Sequence, residues 1–498
     1  MNVNPITRLD YPDPDVIRVE DTYYMVSTTM HFMPGCEILQ SFDLVHWEHV
    51  TYVYETLDHT DAQQLKSGQN IYGQGMWAAS LRYHEGRFYI CFVANDTRKT
   101  YLYTSEKIDG PWKKQLIEGF YHDASLLFDE DGRNYIVYGN DEIWITELNE
   151  DLTAPKKDGL HRLLVSDHKN PELGYEGSHI QKINGYYYIF LVHSLRDRWM
   201  RTEACFYSDS LEGEFTGGDV LCDDRGYCGQ GVAQGGIVDT PDGKWYAMLF
   251  QDSGAVGRIP ILLPVTWKDH FPVFGQNGHV PEEIEVHSTR PGYIYQPLVG
   301  SDDFCNGLLP RWQFNHDPDP RYYHLDALQG TYTITTREVC TELTQAVNTL
   351  TQRMSYPSCA AEVTVDASAL KEGDVAGLCA FQGCYAAVGI TKHHGKYEVL
   401  MLDKKEDGIL DMTEGTVVES HQMDFRLEAD FCNMKDEARC YYRVNKGDWL
   451  PIGTVHKLYF KLDHFTGCRF GLFCYAAEET GGSACFRDFK YYDVDEIS

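Results

Sequence analysis

Five stretches in the first half of the chain share one plan: a strand, a tight polar turn, and a second strand that opens with aromatic residues. They read PDPDVIRVEDTYYMVS, WAASLRYHEGRFYICF, DASLLFDEDGRNYIVYG, EGSHIQKINGYYYIFL and QGGIVDTPDGKWYAMLF. Four of them turn on Glu-Gly, Asp-Gly or Asn-Gly, dipeptides that accept the positive backbone dihedrals of hairpin turns, and the first turns on Glu20-Asp21. The aromatic anchors Tyr24, Tyr89, Tyr135, Tyr188 and Tyr246 lie 65, 46, 53 and 58 residues apart. A hairpin recurring at about the length of a four-stranded unit cannot bury its faces without a neighbour. The pattern therefore predicts an all-β, five-bladed propeller over residues 1–290.

Counting back from the anchors gives the repeat a chemical content. Asp13 lies 11 residues before its anchor, and Trp77, Asp123, Glu176 and Gln234 each lie 12 before theirs. Equivalent positions in successive blades are related by rotation about the propeller axis, so these five converge on one mouth of the central channel. Three of the five are acids. Pro12 and Pro14 restrict the backbone on either side of Asp13 and fix that carboxylate at the start of the first inner strand. Asp15, two residues on, reads as a solvated or turn-bonding carboxylate, the common use of Asp in turns.

Bringing carboxylates together costs free energy, because like charges raise one another's pKa. Glycoside hydrolysis makes use of that cost, since it needs one ionised carboxylate as base and one protonated carboxyl as acid. The residues suggest Asp13 as base, Glu176 as acid and Asp123 between them as modulator. Acid and base on non-adjacent blades suit the ~6.5–9.5 Å gap of an inverting enzyme. Two other readings use the same residues: a carbohydrate-binding propeller without turnover, and a structural propeller whose acids hold calcium. The first would not require the complete acid set, and the second would require several oxygen ligands close together.

The order YPDP, GQGMWAAS, HDASLLFDEDG, YEGSHI and GAVGRIPIL resembles glycoside hydrolase family 43, five-bladed propeller enzymes that remove xylosyl or arabinofuranosyl units, and the likeness runs through about the first 290 residues. The resemblance implies Asp13 as general base, Asp123 as the acid that tunes pKa and orientation, and Glu176 as general acid. It implies that Arg258 contacts the terminal sugar and the acidic cluster, that Trp77 forms an aromatic wall, and that Met30 lines the pocket. WAAS stands where Trp-Ala-Pro is usual and HDAS where Asp-Pro-Ser is usual. Gln234 stands where many relatives place an axial histidine that helps hold a cation. Glutamine is a weak metal ligand, so no metal and no cofactor is expected.

A Pro- and Gly-punctuated stretch, residues 291–301, reads as a linker. Residues 302–498 alternate as short strands such as GTYTITT and RFGLFCYAA, the pattern of a β-sandwich, and the resemblance implies the concanavalin-like domain appended in two-domain relatives. Such a domain can lend a loop to the pocket rim, for which NTLTQRM, residues 348–354, is the candidate. His122, His179 and His193 lie near the motif strands and read as hydrogen-bonded structural histidines.

With 43 Lys+Arg against 75 Asp+Glu the formal charge is −32, which repels nucleic acid and anionic membranes and leaves a neutral oligosaccharide as the expected partner. Fifteen cysteines, an odd number scattered through apolar strands, suit free thiols in a reducing compartment. With no basic segment leading into an apolar run near Met1, the expected location is cytoplasmic. Self-association into a homo-oligomer is left open, as is the choice between the two pentoses.

Overall fold

The computed structural model describes residues 2–413 and 415–493, so the last five residues of the second predicted domain lie outside it. Five four-stranded antiparallel sheets follow one another, each made from one consecutive run of chain with its strands paired in order. Blade 1 holds Asp15–Val19, Thr22–Ser27, Gly35–Ser41 and Glu48–Tyr54. Blades 2 to 5 begin with Met76–His84, Ser125–Phe128, Glu176–Ile183 and Val232–Asp239. Each of these innermost strands pairs with the aromatic-rich strand of its hairpin, as in Ile17↔Tyr24 and Arg82↔Tyr89. The ring closes by packing of blade 5 on blade 1, where Val238, Tyr246 and Met248 share a core with Val16, Tyr23 and Met25.

The channel is tied internally by Asp15. Its side chain is buried, with Oδ2 accepting from Leu81 N at 2.7 Å and Arg82 Nη1 at 2.8 Å, and Oδ1 3.1 Å from His179 Nδ1. Arg82 goes on to donate to Leu126 O and Ser125 Oγ, so four blades share one network. The expectation of a solvated or turn-bonding carboxylate is thus corrected. Arg82 and His179 supply the charge and hydrogen bonds that make burial tolerable, and against the upward push of burial they hold this carboxyl below its usual range.

Two sheets form the second unit. The seven-stranded one runs from Tyr323–Asp326 to Leu450–Lys457, and the other, nine-stranded, includes Val375–Phe381, Arg469–Tyr475, Leu350–Arg353 and Gln313–Asn315. Phe314, Leu378, Leu472, Val363, Phe425 and Phe486 fill the space between them. The nine-stranded sheet does not stop at the unit boundary, because Phe32–Met33 of the propeller adds to its edge through Phe314↔Met33 and Asn315↔Phe32. All fifteen cysteines are free thiols, and no helix among the described residues is long and apolar enough to cross a membrane.

Candidate active site

The innermost strands are distorted where they reach the mouth of the channel. Register breaks occur between Met76 and Ala79, Glu176 and His179, and Ala233 and Gly236. Such bulges re-aim side chains near functional sites. Asp13 and Asp123 each sit two residues ahead of their strand with left-handed backbones, φ 52° and 48°. Asp is one of the few side chains that enters that region at low cost. Gly177 follows Glu176 at φ 65°, and a Cβ there would meet Gln234 Cγ at 2.8 Å. That close approach packs Gln234 against the backbone beside Glu176, while Gln234 N donates to Glu203 Oε2 at 2.7 Å.

A cleft of about 770 Å³ opens at this mouth, with Trp77, His122, Asn140, Glu176, Arg201 and Phe465 among its walls. Asp13 is buried, 3.1 Å from Arg258 Nη1 and accepting from Thr28 Oγ1 at 2.6 Å. Asp123 is buried too and accepts from Gly177 N at 3.0 Å. Glu176 Oε2 accepts from Asn140 Nδ2 at 2.7 Å. His122 Nε2 lies 3.4 Å from that same oxygen and 3.6 Å from Asp123 Oδ2. His122, read from the sequence as a hydrogen-bonded structural histidine, does bond Glu176 and also lines the cleft. Met30 lies behind the wall, fully covered, its backbone bridged to Met76 next to Trp77.

Charges in this cluster act on one another. Burial pushes the Asp123 carboxyl up to about 6, helped by Glu176 and Asp13 and opposed by His122. Burial pushes Glu176 up as well, but the His122 hydrogen bond and charge, with Arg201 and Asn140, outweigh it and hold that carboxyl below the usual range. The three acids reverse the effect of burial on His122 and raise its imidazole to about 9. Ligand atoms of His122, Asp123 and Glu176 lie within 4.8 Å of one another, close enough for one cation. Asn140 and Gly177 donate to the two carboxylates at 2.7 and 3.0 Å.

The second unit covers one side of the cleft with Phe460, Lys461, Leu462 and Phe465. Phe465 stacks on the Arg258 guanidinium at 4.1 Å and lies 5.6 Å from the Trp77 ring. The contact expected from residues 348–354 is therefore made elsewhere. Leu350–Arg353 is a buried strand facing blade 1, where Arg353 pairs with Glu37 at 2.8 Å and donates to Asp10 O, away from the cleft. Asn140, Arg201 and Phe465 carry no signal in the repeat, because Asn140 ends the second strand of blade 3 just past the repeated stretch, Arg201 opens the third strand of blade 4 and Phe465 belongs to the other unit.

Residues 3–272 match the model of glycosyl hydrolases family 43. The chain belongs to that family. Residues 301–492 match the β-xylosidase C-terminal concanavalin A-like domain, and this family 43 chain is accordingly a two-unit glycoside hydrolase. It is 27% identical to a β-xylosidase of Formosa agariphila, over 99% of this chain and 89% of that one. It is 24% identical to a non-reducing end α-L-arabinofuranosidase of Bacteroides ovatus, covering 82% of this chain and 79% of the other. Among solved structures it superposes on a bifunctional GH43-CE protein of Bacteroides eggerthii with a TM-score of 0.93 and 42% identity, over all of this chain and 64% of that longer one.

Proposed function

We propose that this enzyme removes single terminal β-D-xylosyl or α-L-arabinofuranosyl units from hemicellulose-derived oligosaccharides by one displacement, with inversion at the anomeric carbon. The observation that carries the reading is the gathering of three acids from different blades: Asp123 and Glu176 lie 3.6 and 3.4 Å from His122 at the cleft wall, and Asp13, paired with Arg258, acts on the same imidazole. Asp13, paired with Arg258, is suited to take a proton from the attacking water. Glu176, its Oε2 fixed by Asn140, is suited to hand a proton to the leaving oxygen, and Asp123 raises the proton affinity of its neighbours. Trp77 and Phe465 offer apolar faces to a sugar ring, and Gln234 braces the Glu176 backbone from below. The names of the relatives support the two pentoses, and the cover supplied by the second unit supports release of terminal units. The free thiols support a cytoplasmic setting.

The test is hydrolysis of the 4-nitrophenyl and methyl glycosides of both pentoses by wild type, Asp13→Ala and Glu176→Ala, with the first-formed anomer read by NMR. Wild type is expected to turn over at least one pentose and release the anomer opposite to the substrate's. Glu176→Ala is expected to lose ~10²–10⁴-fold on the methyl glycoside. A retained anomer, or a loss below about tenfold, overturns the assignment.

A further inference from the structure

If Glu176 is the general acid, it must hold a proton when substrate is bound, yet its surroundings in the open cleft favour the carboxylate. Asn140 donates to it, Arg201 lies near, and His122 Nε2 stands 3.4 Å from Oε2. We propose that His122 is a positioning residue that stores the proton Glu176 delivers. In the open cleft the proton rests on His122 Nε2 as half of an ion pair with Glu176. Bound sugar excludes water, and the proton crosses to the carboxyl.

The inference rests on the Glu176 assignment above and concerns what supplies that acid. Its geometry is specific. His122 immediately precedes Asp123, its ring is 5.8 Å from Trp77, and a fifth of its side chain faces the cleft, so a sugar against Trp77 covers the pair. From blades 1, 3 and 4, Asp13, Asp123 and Glu176 face the imidazole with negative charge, and together they raise it to about 9 against burial. Arg258 offsets Asp13, and Arg201 is paired with Asp252 at 2.9 Å. At the rim stand Arg98, Glu172 and Lys461, the last in contact with Glu406. An ion pair deprived of water loses much of its advantage over the neutral pair, which drives the transfer.

The step balances. One proton passes from His122 Nε2 to Glu176 and on to the glycosidic oxygen, which keeps the electron pair of the breaking C–O bond. Water adds to the anomeric carbon and gives its proton to Asp13. His122 is left neutral and regains a proton from solvent, while Asp13 releases one.

The test uses His122→Gln and the pH dependence of kcat/KM on the methyl and 4-nitrophenyl glycosides of the pentose that wild type cleaves. In wild type, activity is expected to persist below pH about 9 and fall as pH rises through it. In His122→Gln that alkaline limb is expected to move down by at least about one pH unit. At pH 8 the methyl glycoside should lose at least about tenfold, while the 4-nitrophenyl glycoside, whose leaving group needs no proton, loses less than about threefold. If His122→Gln folds poorly, His122→Ala with added imidazole gives the same reading, with methyl-glycoside turnover restored by imidazole. An unmoved limb with equal losses on both substrates overturns the proposal. Failure of the Glu176 assignment looks different, because Glu176→Ala would then keep methyl-glycoside turnover whatever the His122 variants do.

Discussion

At the scale of single residues, the acids announced themselves because they recur at one phase of a repeat, whereas their partners do not. Asp15 shows why. Its ligands, Leu81 N, Arg82 and His179, are 66 to 164 positions away in sequence, and nothing near Asp15 points to them. His122 reads as structural in the sequence for a similar reason, since the nearer of the two carboxylate oxygens it faces belongs to the next blade. The buried Asp15 group yields a prediction about stability. Removing one member of a buried, hydrogen-bonded ion pair strands the others and typically costs about 3–5 kcal/mol. Asp15→Ala is expected to lower the unfolding free energy by roughly that amount in urea titrations, leaving Arg82 uncompensated. A change below about 1 kcal/mol would show that the network contributes little to the closed ring.

At the scale of elements, hairpins were legible and covering loops were not. Alternation and Gly-containing turns specify a strand pair locally, so the five hairpins are legible in the sequence without any long-range contact. The segment 460–465 has no period and enters the site only because the second unit docks there. Its fit depends on Gly73, between blades 1 and 2. Gly73 adopts φ 67°, and a Cβ at that position would lie 2.3 Å from Leu462 O. Neither backbone can yield without shifting the covering loop. Gly73→Ala is therefore expected to raise KM for short substrates several-fold, with a smaller effect on kcat, because the residue touches no reacting group. An unchanged KM in steady-state assays would mean that the loop at 460–465 adjusts freely.

At the scale of the whole molecule, the two units fold onto each other rather than merely being joined. Asp10 accepts from Arg258 N and from Gly467 N, each at 2.8 Å, so one carboxylate ties the arginine that pairs with Asp13 to the covering unit. Beside this junction His31 of the propeller lies between His316 and His464 of the sandwich, with ring centroids 5.1 and 5.7 Å away, and Tyr72 stacks on His464 at 3.9 Å. Burial, with mutual repulsion at His31 and His316, pushes all three imidazoles down, His464 to about 4. The unfolded chain, with ordinary histidines near 6.5, then binds more protons than the folded one between these values. The contribution is intact above pH about 6.5 and is lost as pH falls towards about 4, at roughly 1.4 kcal/mol per unit for each group. Buried acids such as Asp374 and Asp436, pushed up to about 6 by burial, act in the opposite sense over part of this range. The decisive quantity is therefore the difference in Tm between wild type and His464→Gln, which cannot charge. The variant is expected to melt below wild type at pH 8 and to lose less Tm on going to pH 4.5, so the gap narrows or reverses. A gap independent of pH would show that His464 takes up its proton in the folded protein as readily as in the unfolded chain, with the junction open to water.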